Sequence, residues 1–309
     1  MLKNRGRKGR QSLIVSLVLM LVILSGCGAE ASSTSGEGEG GMPEVIRIGM
    51  MPSEEGEMNR SQEQLAADIT EATGIPAEIF VAEDYNMVIE ALRAGKIEIG
   101  MIGPFGYIIA TERANAKLLV RSESDQPSNT VILVQKDSPY QTVQDLKGKD
   151  FLFADPASTS GNLYPRATLM KELDLTNEEL DSFFGSVAFS GGHDKSLLAL
   201  ANGNADAIGT SSLMVPMMAE SGLVSEDDYR VIAESEPIVG GAPLLYRQDL
   251  PEELVTQLRE LMVDYHEKNP SFLESMGASR FVEGSDSDFD PIRDVAEALD
   301  MSPEELLSK

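Results

Sequence analysis

Strand-like and helix-like segments alternate along this chain from Glu44 onward. The sequence predicts strands at Val45 to Met50, Ala77 to Val81, Ile97 to Met101, Leu118 to Arg121 and Thr130 to Gln135, with helices over 61–73, 84–94 and 105–114 between the first four. A chain that alternates in this way builds a mostly parallel sheet with helices on its faces. An α/β fold is therefore predicted.

Two distant segments of the sequence resemble each other. Val131 to Pro139 and Leu244 to Pro251 are both apolar strands followed by a basic–acidic pair and a proline, and they bracket about a hundred residues that repeat the alternation by themselves. The simplest architecture has the chain leave a first lobe after one of these strands and return along the other. Two crossings of this kind make a two-strand hinge.

The predicted lobes follow from those crossings. The first lobe is expected over 44–135 and again over 237–309, and the second over 136–236, with a long amphipathic helix from Pro251 to Asn269 after the return and helical patterns past Asp290. Open α/β sheets bind ligands at the carboxyl ends of their strands. The cleft between the lobes is therefore the expected binding site.

Three hydroxyl residues in a row, Ser158, Thr159 and Ser160, follow an apolar strand and a proline turn. A helix is predicted from Gly161 to Glu172, and its first turn has backbone N–H groups without intrahelical acceptors at the positive end of the helix dipole. Hydroxyls and N–H groups together would surround a tetrahedral anion with donors. The alternative interpretation is that a serine simply caps the helix.

Two other strand-to-helix junctions carry unusual polar residues. Pro104 stands at a first helical position, which puts Tyr107 within the first turn, where its hydroxyl could reach the cleft. His193 follows Gly191 and Gly192, which allow backbone to approach a ligand closely, and it begins another predicted helix. The alternatives are a core aromatic at Tyr107 and an ordinary hydrogen-bonded histidine at His193.

The amino terminus has the pattern of a targeting segment. Five basic residues precede an apolar run from Leu13 to Leu24 that is too short for an ordinary membrane span, and Cys27, the one cysteine of the chain, follows at once. Leu24 to Cys27 resembles the lipobox of bacterial lipoproteins. Residues 1–26 are thus expected to be a removed signal peptide, Cys27 the lipidated first residue and 27–43 a flexible tether. An ordinary secretory signal is the alternative.

Charge and composition limit the partners. Loss of the five basic residues of the signal takes the formal net charge from −26 to −31, which excludes general nucleic-acid binding because that needs a basic footprint. An anion site must then act through short-range donors. His193 and His266 are too few for a metal site, and no cofactor is predicted.

Four segments together resemble the phosphonate-binding proteins of ABC importers, a family that binds phosphate, phosphite and phosphonates. They are Gly103 to Tyr107, Asp145 to Lys149, Asp155 to Pro165, and Gly191 to Asp194 with Asp206 shortly after. The resemblance implies a type II periplasmic-binding-protein fold whose oxyanion is held at Tyr107, Ser158, Thr159, Ser160 and His193, with Asp194 nearby. It also implies an extracytoplasmic protein that delivers its ligand to a permease and an ATPase. The protein is expected to be a monomer.

The chain departs from the family in two loops. Met51 to Met58 lacks the aromatic residue that binders of aminoalkylphosphonates present, and Gly209 to Leu213 has no carboxylate to hold an amine. A smaller oxyanion or a simple phosphonate is therefore the expected ligand, although the sequence does not name it.

Two other functions remain open at this point. The same fold could serve a membrane receptor as a ligand sensor without transport. A hydrolase would need Ser158 or Ser160 as nucleophile, His193 as base and Asp194 or Asp206 as orienting group, but the chain has no Gly-x-Ser-x-Gly elbow. The sequence therefore favours a binding protein over an enzyme.

Overall fold

A computed structural model describes residues 41–52, 56–299 and 301. The strands in this part of the chain are β1 Ile46–Met50, β2 Ala77–Val81, β3 Ile99–Met101, β4 Lys117–Glu123, β5 Thr130–Gln135, β6 Asp150–Phe153, β7 Ser186–Phe189, β8 Ala207–Ser211, β9 Tyr229–Glu234, β10 Pro243–Tyr246 and β11 Arg280–Val282. The α-helices are α1 Gly56–Thr73, α2 Tyr85–Arg93, α3 Pro104–Ala114, α4 Tyr164–Leu173, α5 Asn177–Phe183, α6 His193–Ala201, α7 Met214–Glu220, α8 Glu252–Val263, α9 Tyr265–Lys268, α10 Pro270–Glu274 and α11 Asp290–Ala298.

These elements form two sheets. The first has six strands in the order β11-β4-β10-β3-β1-β2, and the second has five in the order β7-β6-β8-β5-β9. In each sheet the strands that precede helices run parallel, as β1 does to β2 and β3, and β6 to β7 and β8. The predicted α/β alternation is confirmed in both lobes.

The predicted boundary between the two lobes is one strand too late in the sequence. The sequence prediction assigned Thr130 to Gln135 to the first lobe, but β5 lies in the second sheet, antiparallel to β8 and β9. The chain therefore crosses at 124–129 and returns at 235–242. The two crossings touch, since Ile238 N donates to Ser128 O at 2.7 Å.

Both sheets are mixed because of these crossings. A strand that begins at the hinge starts at the edge where the parallel strands end, so it must run in the opposite direction. Thr130 at the start of β5 lies opposite Ser211 at the end of β8, and Leu244 near the start of β10 lies opposite Met101 at the end of β3. This reversal brings the carboxyl ends of β3, β4, β6 and β8 to the hinge side of the two sheets.

The lobes share apolar contacts behind the hinge. Ala157, Leu163 and Tyr164 of the second lobe are buried in the same cluster as Phe289 and Ile292 of the first. The segment that follows β6 is thereby held against both lobes, which fixes its position for the site described below.

The carboxyl-terminal helices differ from the prediction in one respect. The helix expected from Pro251 to Asn269 is interrupted at Asp264, where α8 ends and α9 begins. Tyr265 is fully buried after the break, and its hydroxyl donates to Asp68 Oδ2 at 2.9 Å. Turning Tyr265 into the core accounts for the interruption.

The predicted signal peptide, Cys27 and most of the tether lie outside the described residues. Among the helices that the structure does describe, none combines the length and the apolar character that a membrane span requires.

Candidate functional site

A cavity of about 530 Å³ opens between the two lobes. The carboxyl ends of β3, β4, β6 and β8 and the loops that follow them supply much of its wall, and both crossing segments contribute to it. This is the position at which open α/β sheets place ligands. Of the predicted site residues, Ser158, Thr159, Ser160, His193 and Asp194 all line the cavity.

The hydroxyl triplet leads into a widened helical turn. Residues Thr159–Leu163 form a π-helical turn that continues into α4. Pro165 has no N–H to donate to the carbonyl four residues earlier, and that carbonyl, Gly161 O, instead accepts from Ala154 N at 2.8 Å. The proline therefore frees a carbonyl that ties the turn to the end of β6.

Ser158 has two roles at the start of this turn. Its backbone is extended and its Oγ accepts from Gly161 N at 3.0 Å, which is the geometry of an N-cap. The same Oγ lies 3.3 Å from His193 Nε2 at the cavity wall. Ser158 can therefore cap the helix and also contact an anion. The segment Ser158, Thr159 and Ser160, with its hydroxyls and backbone N–H groups, is called the cradle below.

Ser160 is less constrained by the protein than Ser158. Its Oγ lies 3.5 Å from His193 Nε2, the outer limit of a hydrogen bond, and its side chain is only partly buried. Thr130 donates from Oγ1 to the carbonyl of Ser160 at 2.9 Å, which holds the backbone in place. The hydroxyl of Ser160 therefore remains available to a group in the cavity.

Gly161 allows the cradle to close around His193. A Cβ at this position would lie 2.4 Å from Ala154 Cβ, 2.8 Å from Ser158 Oγ and 2.9 Å from His193 Cε1. Contacts this short do not occur between real side chains, so only glycine fits here. The approach of the turn to the imidazole depends on it.

His193 begins α6 and connects the cradle to β8. Its Nδ1 lies 2.9 Å from Thr210 Oγ1, and its Nε2 faces the hydroxyls of Ser158 and Ser160. Burial lowers the pKa of His193 to about 4, against the opposing effect of Asp194. The imidazole is therefore neutral at neutral pH, and when Thr210 donates to Nδ1 the remaining proton is on Nε2, directed at the cradle.

Two hydrogen bonds join the cradle segment to the opposite lobe. Thr159 Oγ1 accepts from Phe105 N at 2.8 Å, and Asp155 Oδ2 accepts from Tyr85 N at 3.1 Å. Phe105 and Tyr85 stand in the first turns of α3 and α2, so the positive ends of two first-lobe helices face the cradle. Burial raises the pKa of Asp155, while the N–H groups of Tyr85 and Ala157 partly offset this rise.

The two aspartates named by the hydrolase alternative are separated by the structure. Asp194 is buried at the cavity, and its Oδ1 accepts from Lys195 N at 2.8 Å. Asp206 lies before the start of β8, at the end remote from Ser211, and accepts from Tyr140 Oη and Asp150 N. Asp206 therefore cannot orient His193, whose Nδ1 partner is a threonine hydroxyl.

The prediction for Tyr107 is wrong. Its side chain is 3% exposed, its ring packs against Phe289 at 4.4 Å, and its hydroxyl donates to Asp286 Oδ1 at 2.8 Å. Tyr107 comes one turn after Gly103, which lines the cavity, and one turn of helix is about 5.4 Å long. The residue thus points into the first lobe behind the site, as the core-aromatic alternative held.

Three residues at the site were missed. Tyr85 lines the cavity at the start of α2, and burial, followed by the charges of Asp155 and Asp194, raises its pKa so that its hydroxyl keeps its proton. Asp155 and Thr210 position the cradle and His193. Tyr85 had a signal in the sequence, since it follows the carboxyl end of β2 and the N-cap Asp84.

The cavity wall has little free positive charge. Among the described residues that line it, Arg121 carries the permanent positive charge, and its Nε is 2.9 Å from Asp288 Oδ2. The described residues also contain no cluster of His, Cys, Asp and Glu side chains suited to a metal ion. The donors of this site are therefore neutral hydroxyls, backbone N–H groups and an imidazole.

Comparisons with known proteins give the family. A profile of the family described as "ABC transporter, phosphonate, periplasmic substrate-binding protein" matches residues 48–289. The phosphate-import protein PhnD of Mycolicibacterium smegmatis is 27% identical over 317 residues, which cover 94% of this chain and 96% of that protein. The phosphonates-binding periplasmic protein of Escherichia coli is 27% identical over 238 residues, covering 74% and 69%.

A solved structure agrees on the fold. PhnD1 from Prochlorococcus marinus, in complex with methylphosphonate, matches 84% of this chain and 99% of its own with a TM-score of 0.73 at 16% identity. The predicted type II periplasmic-binding-protein fold is confirmed, and the extracytoplasmic location and the permease and ATPase partners follow from the family. The chain belongs to the family of periplasmic substrate-binding proteins of ABC phosphonate transporters.

Proposed function

We propose that this protein captures a phosphorus oxyanion in the cleft between its lobes and holds it with Ser158, Thr159, Ser160, His193 and Tyr85. The convergence of neutral donors from both lobes on one cavity is the observation that carries the proposal. The family supports a phosphonate or phosphate as the ligand class. Closure of the lobes around this ligand and its release to the permease complete the proposed cycle.

Neutral donors are sufficient for useful affinity. A hydrogen bond to a charged group contributes roughly 1.5 to 3 kcal/mol, so five or six supply about 8 to 18 kcal/mol before association costs of several kcal/mol. The N–H groups at the starts of α2, α3 and the turn at Ser158 add favourable dipoles. A protein as acidic as this one can therefore bind an anion without a lysine in the site.

Asp194 supports a phosphorus ligand over a sulfonate. An ionised carboxylate can only accept hydrogen bonds, so it contacts an oxyanion favourably only through a proton on that anion. Phosphate and phosphonates carry such a proton near neutral pH, whereas sulfate and sulfonates do not. The same carboxylate that would repel a sulfonate thereby fits a protonated phosphorus oxyanion.

The first test is a binding screen with a matched pair of variants. Phosphate, phosphite, hypophosphite and methylphosphonate are compared with sulfate by calorimetry. We expect Ser160→Ala to lower the affinity for the best ligand about 10- to 150-fold with little change in stability, because Ser160 makes only marginal contacts in the protein. Ser221→Ala, which removes a hydroxyl outside the cavity that donates to Met218 O, is the control.

Either of two outcomes would contradict the proposed function. Sulfate could bind as tightly as every phosphorus oxyanion, or Ser160→Ala could bind the ligand as the parent does while losing stability. The second result would show that Ser160 stabilises the fold and does not bind the ligand.

The site does not have the arrangement of a hydrolase, and we propose that the protein is not an enzyme. Ser158 and His193 form a superficial dyad, but Ser158 is 2% exposed and its Oγ already accepts from Gly161 N. His193 is a weak base when its pKa is about 4, and the partner of its Nδ1 among the described residues is the hydroxyl of Thr210, not a carboxylate. Binding without covalent chemistry accounts for all of these features.

We also propose that the monomeric protein is held at the membrane by a lipid on Cys27. The apolar run and the single cysteine that follows it support this proposal. Cys27→Ser is expected to move the protein from the membrane fraction to the soluble fraction of cells, which immunoblotting of the two fractions measures. An unchanged membrane fraction would argue against the lipid anchor.

A further inference from the structure

We propose that the ligand is a phosphonate with an uncharged apolar substituent of several carbons, and that the cleft has a dedicated apolar pocket for it. This inference rests on the proposed function and deepens it. The pocket is formed by six side chains that line the cavity beside the hydroxyl cradle, here called the methionine wall: Met101, Leu213, Met214, Met217, Ile238 and Met276.

The methionine wall adjoins the cradle in both lobes. In the second lobe, Leu213 and Met214 come three and four residues after Thr210, whose hydroxyl contacts His193. In the first lobe, Met101 precedes Gly103 by two residues, and a Cβ on Gly103 would lie 3.2 Å from Thr159 Oγ1. A ligand whose oxyanion sits in the cradle therefore extends its substituent toward thioether and aliphatic groups.

The two lobes meet at the far side of this wall. A Cβ on Gly277 of the first lobe would lie 3.0 Å from Leu213 Cδ1 and 3.7 Å from Met217 Sδ of the second. Gly277 has a φ of +67°, so the loop turns sharply at the contact. Leu213 and Met217 of the second lobe therefore lie close to the first-lobe loop at Gly277, so side chains from both lobes surround this apolar end of the cleft.

The size of the cavity also exceeds what an inorganic anion requires. About 530 Å³ lies within the range of roughly 300 to 1,000 Å³ that is typical of pockets for organic ligands. Phosphate would need donors on every side, and the methionine wall has none. Methionine side chains are flexible and polarisable, so they adapt to alkyl and aryl shapes alike.

An aminoalkyl substituent fits this wall poorly. The charged side chains nearest the crossing segment, Arg121 and Glu123, are paired with Asp288 and Arg280 respectively. An ammonium group placed among the methionines would lose its water, and Glu123, the described carboxylate at the end of β4, is already paired with Arg280. The wall therefore selects against a positive charge at the end of the substituent.

A ligand series on the parent protein tests the inference directly. Calorimetry compares methyl-, propyl-, butyl- and phenylphosphonate with phosphate and with 2-aminoethylphosphonate, which has nearly the same shape as propylphosphonate. Each buried methylene is expected to raise the affinity about fourfold from methyl to butyl. We expect 2-aminoethylphosphonate to bind at least tenfold more weakly than propylphosphonate.

A variant of the methionine wall tests whether these side chains cause the increase of affinity with substituent length. Met217→Gln keeps the length of the side chain and makes its end polar, and we expect it to lower the affinity for butylphosphonate at least fivefold more than that for methylphosphonate. Met87→Gln is the control, because Met87 is 36% exposed on α2 and does not line the cavity. It should leave the whole series unchanged.

The outcomes separate this inference from the proposed function. If methylphosphonate or phosphate binds but affinity does not rise with chain length, the apolar pocket is wrong and the proposed function stands. If Met217→Gln weakens every ligand equally, Met217 acts on the fold or on closure and the pocket is also wrong. If no phosphorus oxyanion binds, both proposals fail together.

Discussion

Gly161→Ala is expected to weaken binding of the phosphorus oxyanion by more than tenfold and to lower the free energy of unfolding by about 1 to 3 kcal/mol, the usual cost of overpacking. The new methyl group would lie 2.4 Å from Ala154 Cβ, which belongs to the loop directly after β6 and cannot swing aside. It would also push Ser158 Oγ and the His193 ring out of their present positions. Calorimetry and chemical unfolding measure the two effects.

Gly56→Ala is the matched control for this variant. Among the described residues, a Cβ at Gly56 would meet the end of the flexible Arg60 side chain at 3.5 Å, and the residue is exposed at the start of α1. We expect it to bind like the parent and to be equally or slightly more stable. A Gly161→Ala protein with parental affinity and stability would mean that the turn does not close on His193 as described.

Local sequence patterns were enough to predict most of the elements and part of the site. The strands β1, β2 and β5 and the start of α6 at His193 follow from apolar runs and turn residues within a few positions. The hydroxyl triplet and His193 were found because the carboxyl ends of parallel strands meet at one edge of a sheet. That rule requires only the order of strands and helices along the chain, and this order can be predicted from the sequence.

The prediction errors arose where contacts between residues far apart in the sequence determine the position of a side chain or a strand. The direction of Tyr107 depends on Asp286 and Phe289, which lie about 180 residues further along the chain. Its position within the first turn of α3 could not reveal those partners. A tyrosine hydroxyl is satisfied equally by a ligand or by a carboxylate in the core, and the sequence did not distinguish them.

The sheet of β5 could not be assigned for the same reason. Its apolar sequence suits a central strand of either sheet, and only its pairing with β8 and β9 places it in the second. Asp155 and Thr210 were missed because their roles are to hold other groups: Asp155 accepts from N–H groups of both lobes, and Thr210 contacts the imidazole. Contacts of this supporting kind produce no characteristic residue spacing in the sequence, so the sequence did not reveal them.

The pH dependence of stability is expected to report the burial of His193. The pKa of its imidazole is lowered from 6.5 to about 4 in the folded protein. Above about pH 7.5 the imidazole is neutral in the folded and unfolded chains alike, so it adds no pH dependence there. As the pH falls from about 6.5 to about 4, the unfolded chain takes up a proton that the folded chain does not, and folding becomes less favourable.

The comparison with His193→Asn isolates this effect, because both proteins share every other titrating group. Without ligand, the unfolding free energy of the parent relative to the variant should fall by about 3 kcal/mol between about pH 7.5 and about pH 4, with no relative change above about pH 7.5. Urea unfolding at a series of pH values measures it, and His266→Gln, which removes an exposed imidazole on α9, is the control. Parallel curves for the parent and His193→Asn would show that the imidazole takes up its proton in the folded cleft as readily as in water. Below about pH 6.5 the donor assigned to Nε2 would then be an imidazolium, and at those pH values the site would bind its anion through charge.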